Sequence, residues 1–172
     1  MPDSERRQFR DFVSAQSGRL FQVALALTGG QHATAEDLLQ SALVRTFSRW
    51  RYINDDPVAY VRQAMYHAQV SVWRRRLKEL PAEQVPEQRH QRDDISEVDQ
   101  RLAVRRALLR LGPRQRAVLV ARFFEDLSEL QTAQLLGCSV GTVRSQTYRA
   151  LLRLRELAPE LRDDDVNLEA LR

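Results

Sequence analysis

The chain has 172 residues, 43% hydrophobic and 29% charged, the composition of an ordinary globular protein of one domain or two small ones. Basic residues number 27 against 23 acidic; Lys78 is the single lysine, so the positive charge is arginine, which suits bidentate contact with phosphate and stacking on rings. One cysteine, Cys138, excludes an internal disulfide or a cysteine-based zinc site, and His32, His67 and His90 are too scattered for a metal cluster. No apolar run approaches the ~18 residues of a membrane span, and the start MPDSERRQFRD has no signal-peptide core. The expectation is a cytoplasmic protein without cofactor or metal.

In chain order, Phe9, Phe12, Val13, Leu20, Val23, Ala24 and Leu27 recur at helical spacing and predict one or two helices, with a break near Gln16 to Gly18. Thr28-Gly29-Gly30 reads as a stop and a turn. A second helix is expected from Thr34, where Asp37 three residues on completes a capping-box pattern. Leu38, Leu39, Ala42, Leu43, Phe47 and Trp50 fall on one face of it, and Asp37, Gln40, Ser41 and Arg45 on the other. Asn54, Asp55, Asp56 and Pro57 form a loop that caps a third helix running to about Leu80, with Pro57 in its first turn.

Residues 50–76 place Trp50, Tyr52, Tyr60, Tyr66 and Trp73 among arginines and end on Arg74, Arg75 and Arg76. Rings at helical spacing read either as core or as faces on which unpaired bases stack, with arginines along the strand's phosphates. Residues 81–97 hold two prolines and many charges, the composition of a flexible linker. The predicted architecture is therefore all-α, with two small helical lobes, 1–80 and 98–158, joined by the linker and followed by an acidic tail, 159–172.

Two arginine clusters mark the second lobe, one of Arg101, Arg105, Arg106, Arg110, Arg114 and Arg116, the other of Arg144, Arg149, Arg153 and Arg155. Its clearest motif is DLSELQTAQLLGCSVGTVRSQTYRALLRL, residues 126–154. Ser128 and Gln131 make a capping box for a short helix that offers Leu130, Ala133, Leu135 and Leu136 for packing. Gly137 supplies a turn with a positive backbone dihedral. Ser139 caps a second helix, buried through Val143, Ala150, Leu151 and Leu154. This is a helix-turn-helix, and its second helix enters the major groove by its N-terminal part. Ser139, Val140, Gly141, Thr142, Arg144, Ser145 and Tyr148 are then the candidates to face DNA, with Arg149 and Arg153 set for phosphate. A helix pair in a plain bundle could carry the same glycine and arginines. Cys138 reads as a small turn residue.

With both lobes read, the chain resembles the extracytoplasmic-function sigma factors of the sigma-70 family, specifically their actinobacterial SigE-like branch. LGPRQRAVLVARFFEDLS, residues 111–128, together with the helix-turn-helix resembles the family's region 4, and AEDLLQSALVRTFSRW, residues 35–50, its region 2.2. The resemblance implies a dissociable subunit that joins core RNA polymerase at its clamp helices and flap, reads the promoter −35 element as duplex, and binds the single-stranded non-template strand at −10. It implies that Asp37, Gln40 and Arg45 meet the polymerase. It also implies that Arg51, Tyr52, Asn54, Asp55 and Asp56 help form a pocket for a flipped base, and that the helix through His67, Trp73, Arg74, Arg75 and Arg76 meets the melted strand. Anti-sigma proteins commonly hold members of this family, and no membrane contact is implied. Two positions depart from the family pattern: Ser41 stands where an acid is frequent, and His67 where an Asn is common.

Two other readings stay open at the level of sequence: a homodimeric helix-turn-helix regulator bound to paired operator half-sites, and a helical adaptor for which the recognition-helix arginines are dispensable. An enzyme is not expected. The sequence has no phosphate-cradling glycine loop and no nucleophile motif, and Asp55-Asp56 and Asp163-Asp164-Asp165 read as loop and tail charges.

Overall fold

The computed structural model describes residues 2–53, 56–79 and 97–158, with backbone alone for 72–79 and 97–102. Asn54, Asp55, nearly all of the expected linker and the acidic tail therefore lie outside the described residues, as do the side chains of Trp73, Arg74, Arg75, Arg76 and Arg101. Seven α-helices are described: α1 (Asp3–Leu27), α2 (His32–Arg49), α3 (Pro57–Glu79), α4 (Glu97–Arg110), α5 (Pro113–Leu119), α6 (Glu129–Leu136) and α7 (Val140–Leu157). A 3₁₀ turn, Trp50–Tyr52, follows α2, and a π-helical turn, Val120–Phe124, continues α5. No strand occurs among the described residues, and no described helix is long and apolar enough to cross a membrane.

The first helix corrects the sequence reading, because α1 runs unbroken through Gln16 to Gly18. A single helical glycine costs about 1 kcal/mol, too little to break a helix anchored by buried Leu20, Val23, Ala24 and Leu27. The stop is where it is expected: Gly29 and Gly30 both take positive φ, 69° and 86°, and the buried Thr28 hydroxyl donates to the Ala24 carbonyl. The start of α2 is a second correction. It begins at His32, and no side chain caps it; Thr34, already inside the first turn, turns its hydroxyl to Gln31 instead of making the expected box. Asp56 caps α3 as expected, its carboxylate accepting from the Ala59 amide at 3.0 Å.

The predicted faces of α2 largely hold. Leu38, Leu39 and Ala42 are buried with Leu43 packed beside them, while Asp37, Gln40, Ser41 and Arg45 are exposed. Phe47 is an exception, half in solvent; with Phe9, Phe12 and Trp50 it forms a ring cluster joining α1 to the end of α2. Of the rings with two readings, Tyr66 is fully buried, and Trp50 is half-buried in this ring cluster.

The second lobe builds its own core from Val104, Ala107 and Leu108 of α4, Leu111 just after it, Leu119 of α5, and Ala150 and Leu154 of α7. Its helices also close against the first lobe. Ala117, Val120 and Ala121 share one apolar cluster with Leu20, Val23, Val61 and Met65, and Phe124, Leu127, Leu135 and Leu136 pack onto it. Thus α3 lies on α5 and α6, and α1 on the π turn.

Arg116 stands apart from the other arginines of its cluster. It is buried, and its guanidinium donates to the carbonyls of Leu108, Leu109 and Leu111 at 2.6, 2.9 and 3.0 Å and across the lobes to Leu27 at 3.2 Å. These carbonyls lie at the C-terminal ends of α4 and α1, where helix dipoles favour a cation. Burial lowers its proton affinity, to a pKa of about 10, so it stays charged at neutral pH.

Candidate nucleic-acid interface

Local chemistry sets the helix-turn-helix. Ser128 accepts from the Gln131 amide at 3.1 Å while the Gln131 side chain accepts from the Ser128 amide at 2.8 Å, a complete capping box. Gly137 ends α6 in the left-handed region at φ 64°, where a side chain would add backbone strain. Ser139 starts α7 by accepting from the Thr142 amide at 3.1 Å. The two helices meet through buried Ala133 and Val143, which cluster with buried Val118 of α5, and Leu136, Cys138 and Val140 pack around them. Leu130, expected to pack, is instead 60% exposed. It lies with Cys138 and Ser139 along an open depression beside the turn. Burial pushes the Cys138 thiol up, against a smaller opposing effect of Arg114, in keeping with a turn residue rather than a reactive thiolate.

The outward face of α7 gathers Ser139, Gly141, Thr142, Arg144, Ser145, Tyr148, Arg149 and Arg153, all exposed, with Val140 half-buried at its edge. Tyr148 is 66% exposed. Two of these side chains are held before any ligand arrives. Arg144 Nε lies 2.7 Å from the Glu129 carboxylate on α6, and Arg153 pairs with Glu156 at the same distance. Glu129 is missed in a reading of the sequence that takes one helix at a time. Its signal is its place at the first position of α6, next to the N-terminal turn of α7.

In the first lobe the predicted residues separate into three places. Asp37, Gln40 and Arg45 share the outer face of α2 with exposed Val44. Arg51 and Tyr52 sit on the 3₁₀ turn, with the Arg51 guanidinium 4.7 Å from the centre of the Tyr52 ring, a cation–π contact in a residue 67% exposed. Asp56 adjoins them at the start of α3. His67 and the 73–76 stretch lie further along α3, and at 1.5 Å per residue Arg74 is about 25 Å from Pro57. His67 Nε2 is 3.1 Å from the Leu135 carbonyl, so in this arrangement that ring turns to the second lobe.

Residues 101–154 match the family description Sigma-70, region 4. The RNA polymerase sigma-E factor of Streptomyces avermitilis is 39% identical over 99% of this chain and 94% of its own length. The corresponding factor of Streptomyces coelicolor is 40% identical over 95% of this chain and 92% of its own. The chain belongs to the RNA polymerase sigma factors. Within that family it is of the extracytoplasmic-function, sigma-E-like kind, and the likeness runs through both lobes. Among solved structures, the sigma factor RpoE of Bartonella quintana, seen in complex with the anti-sigma factor NepR, superposes with a TM-score of 0.63. That match covers 91% of this chain and 99% of the other at 23% identity, which supports the all-helical fold of this sigma factor.

Proposed function

We propose that this chain is a dissociable sigma subunit that binds core RNA polymerase, directs it to particular promoters and assists their opening. The observation that carries the reading is the extent of the likeness: the sigma-E relatives match through both lobes, whereas an operator-binding homodimer would require only the helix-turn-helix. In this reading the exposed face of α7, from Ser139 to Arg153, enters the major groove of the −35 element, with Arg144 oriented by Glu129 and Arg149 and Arg153 on phosphate. Asp37, Gln40 and Arg45 on α2 meet the polymerase. Arg51, Tyr52 and Asp56, together with Asn54 and Asp55, take part in capturing a −10 base, while His67, Trp73 and Arg74 to Arg76 follow the melted strand. Region 2 corresponds to residues 1–80 and region 4 to 98–158. The chain acts in the cytoplasm and contributes binding and duplex opening, leaving bond formation to the polymerase.

The test is co-elution of the purified chain with sigma-free core polymerase, followed by transcription from genomic fragments. A stable complex giving specific transcripts is expected, and Asp37→Ala should weaken that complex. Arg144→Ala should cost about 1–3 kcal/mol of −35 affinity and relax base preference, whereas Arg149→Ala weakens binding to all sequences and lowers its salt dependence. Absence of a complex, together with dimeric binding to paired half-sites, would overturn the reading.

A further inference from the structure

The reading face of α7 carries a contact that a plain DNA-binding helix does not need. Arg144, at the start of the second turn of α7, donates its Nε–H to a Glu129 carboxylate oxygen at 2.7 Å. The two side chains are unequally sheltered, Arg144 being 69% exposed and Glu129 35%. The pair spans 15 positions and ties the two helices of the motif together. Its acidic end is the fixed one. Glu129 is the first residue of α6 and follows Ser128, whose backbone is held by the capping box with Gln131, and a helix N-terminus favours an acid at that place. Arg144 therefore reaches into solvent from an anchor that is already set.

A guanidinium is flat and has five N–H groups in a rigid fork. With the Nε–H taken by the carboxylate, the two terminal nitrogens are left to act side by side, which matches a base edge with two acceptors, as guanine presents in the major groove. The neighbouring hydroxyls serve the helix itself: Ser139 and Thr142 bond each other at 2.9 Å, and Ser145 donates to the Thr142 carbonyl at 3.0 Å. The Arg153–Glu156 pair gives no comparable anchor, because it lies within one helix at a spacing of three and its carboxylate is 63% exposed. An arginine without an anchor at a groove edge turns readily to phosphate, a contact that holds no sequence information. The Glu129 charge opposes that turn. A surface ion pair adds little to stability, so its effect falls on which partner Arg144 takes.

We propose that Glu129 is a specificity-determining positioning residue, which holds Arg144 end-on to one guanine of the duplex that α7 reads and denies the same arginine to the phosphates. The inference rests on the −35 reading above and concerns the same face. Glu129 thus lowers the general affinity for DNA while it sharpens the choice of sequence. Its removal has two effects of opposite sign. Preference at one base pair falls, whereas affinity for DNA of any sequence rises, because a released arginine adds one phosphate contact and steepens the dependence of log K on log salt by about 0.9. A residue that only supported the fold would lower both on removal.

The test is selection from a library of duplexes randomised at −35, by the full-length chain with core polymerase and by the chain alone, together with binding to an unrelated duplex over a range of salt. Glu129→Ala is expected to lose about tenfold of discrimination at one base pair and to bind the unrelated duplex more tightly, with a salt slope steeper by about one. Glu129→Gln, whose amide oxygen still accepts from Nε, is expected to keep most of the preference and to gain the same general affinity. In an Arg144→Ala background, Glu129→Ala is expected to change neither quantity. Circular dichroism checks the helices, and Glu129→Gln carries the test should alanine disturb them. Preference that survives in folded Glu129→Ala, loss of preference with no gain in general affinity, an unchanged salt slope in Glu129→Gln, or the same changes without Arg144 overturns the role. The sigma reading fails separately: a wild type that selects paired half-sites alone and nothing with core polymerase refutes the sigma role, and the same variants in that selection still decide the part of Glu129.

Discussion

Helices α1 and α2 begin without a side-chain cap and run for 25 and 18 residues, whereas α5 and α6 run for 7 and 8 and each start carries a device. Pro113 opens α5 at its first turn, the Ser128–Gln131 box opens α6, and Ser139 opens α7. Length is the physical difference. A helix shorter than about 12–15 residues does not hold by itself in water, so α5 and α6 depend on end chemistry and on Arg116, while α1 and α2 depend on apolar burial and the ring cluster. Single polar substitutions at the starts of α6 and α7 should therefore damage the second lobe more than those at the starts of α1 and α2 damage the first.

The largest test of that contrast is Arg116→Ala. It strips hydrogen bonds from four carbonyls, and we expect a loss of about 3 kcal/mol, seen as a fall of roughly 10 °C in the melting temperature. Lysine should not restore it, because a point charge cannot fork to several carbonyls at once. A melting temperature unchanged by Arg116→Ala would remove the main support for the comparison.

Next in size is the alkaline limit. Burial, reinforced by the neighbouring Glu125 charge, holds the Tyr66 phenol well above its usual proton affinity. A raised folded value gives stability that is complete below the unfolded value, about 10, and is lost as pH climbs through the folded one. Arg116 acts with the opposite sign, its lowered value making stability rise above about 10. The Tyr66 share is thus read as the difference between wild type and Tyr66→Phe: the variant should lose about 1 kcal/mol at neutral pH and show a shallower decline in alkali. Parallel stability curves in alkali would contradict it.

Caps give a matched pair. Ser128→Ala should cost about 1 kcal/mol, while Thr34→Ala, at the position where a box is expected and none forms, should stay within about 0.5 kcal/mol of wild type. Urea denaturation measures both, and equal losses would erase the distinction. The smallest effects have opposite signs. Gly18 lies exposed inside α1 with open space around a would-be Cβ, so alanine should stabilise by about 0.5–1 kcal/mol. Gly137 also has open space, but its φ of +64° makes alanine destabilising by about 1 kcal/mol through the backbone alone. If both glycines respond with the same sign, conformation is not what separates them.

The same contrast explains what the sequence made legible. Ser128, Gln131, Gly137 and Ser139 act within four residues of themselves, so their chemistry can be read in a short window, and the helix-turn-helix appears there intact. Leu38, Leu39 and Ala42 show their face by period alone. By contrast, Glu125 finds Tyr66 at a separation of 59 residues, and nothing near Glu125 in sequence marks it as sheltered. Arg116 stands among arginines that look alike until α4, α5 and α1 converge on it. The break expected in α1 does not occur, for a related reason: glycine propensity is a local quantity, and packing of Leu20 and Val23 outweighs it.

Gly29 carries a consequence of its own. Its φ of +69° discourages any side chain, and a Cβ there would sit 2.7 Å from Leu109 of the second lobe. The residue is refused twice, once by its own backbone and once by a neighbour eighty positions downstream. A side chain at position 29 would therefore act as a wedge between the two lobes, straining its own turn and pressing on Leu109 at once.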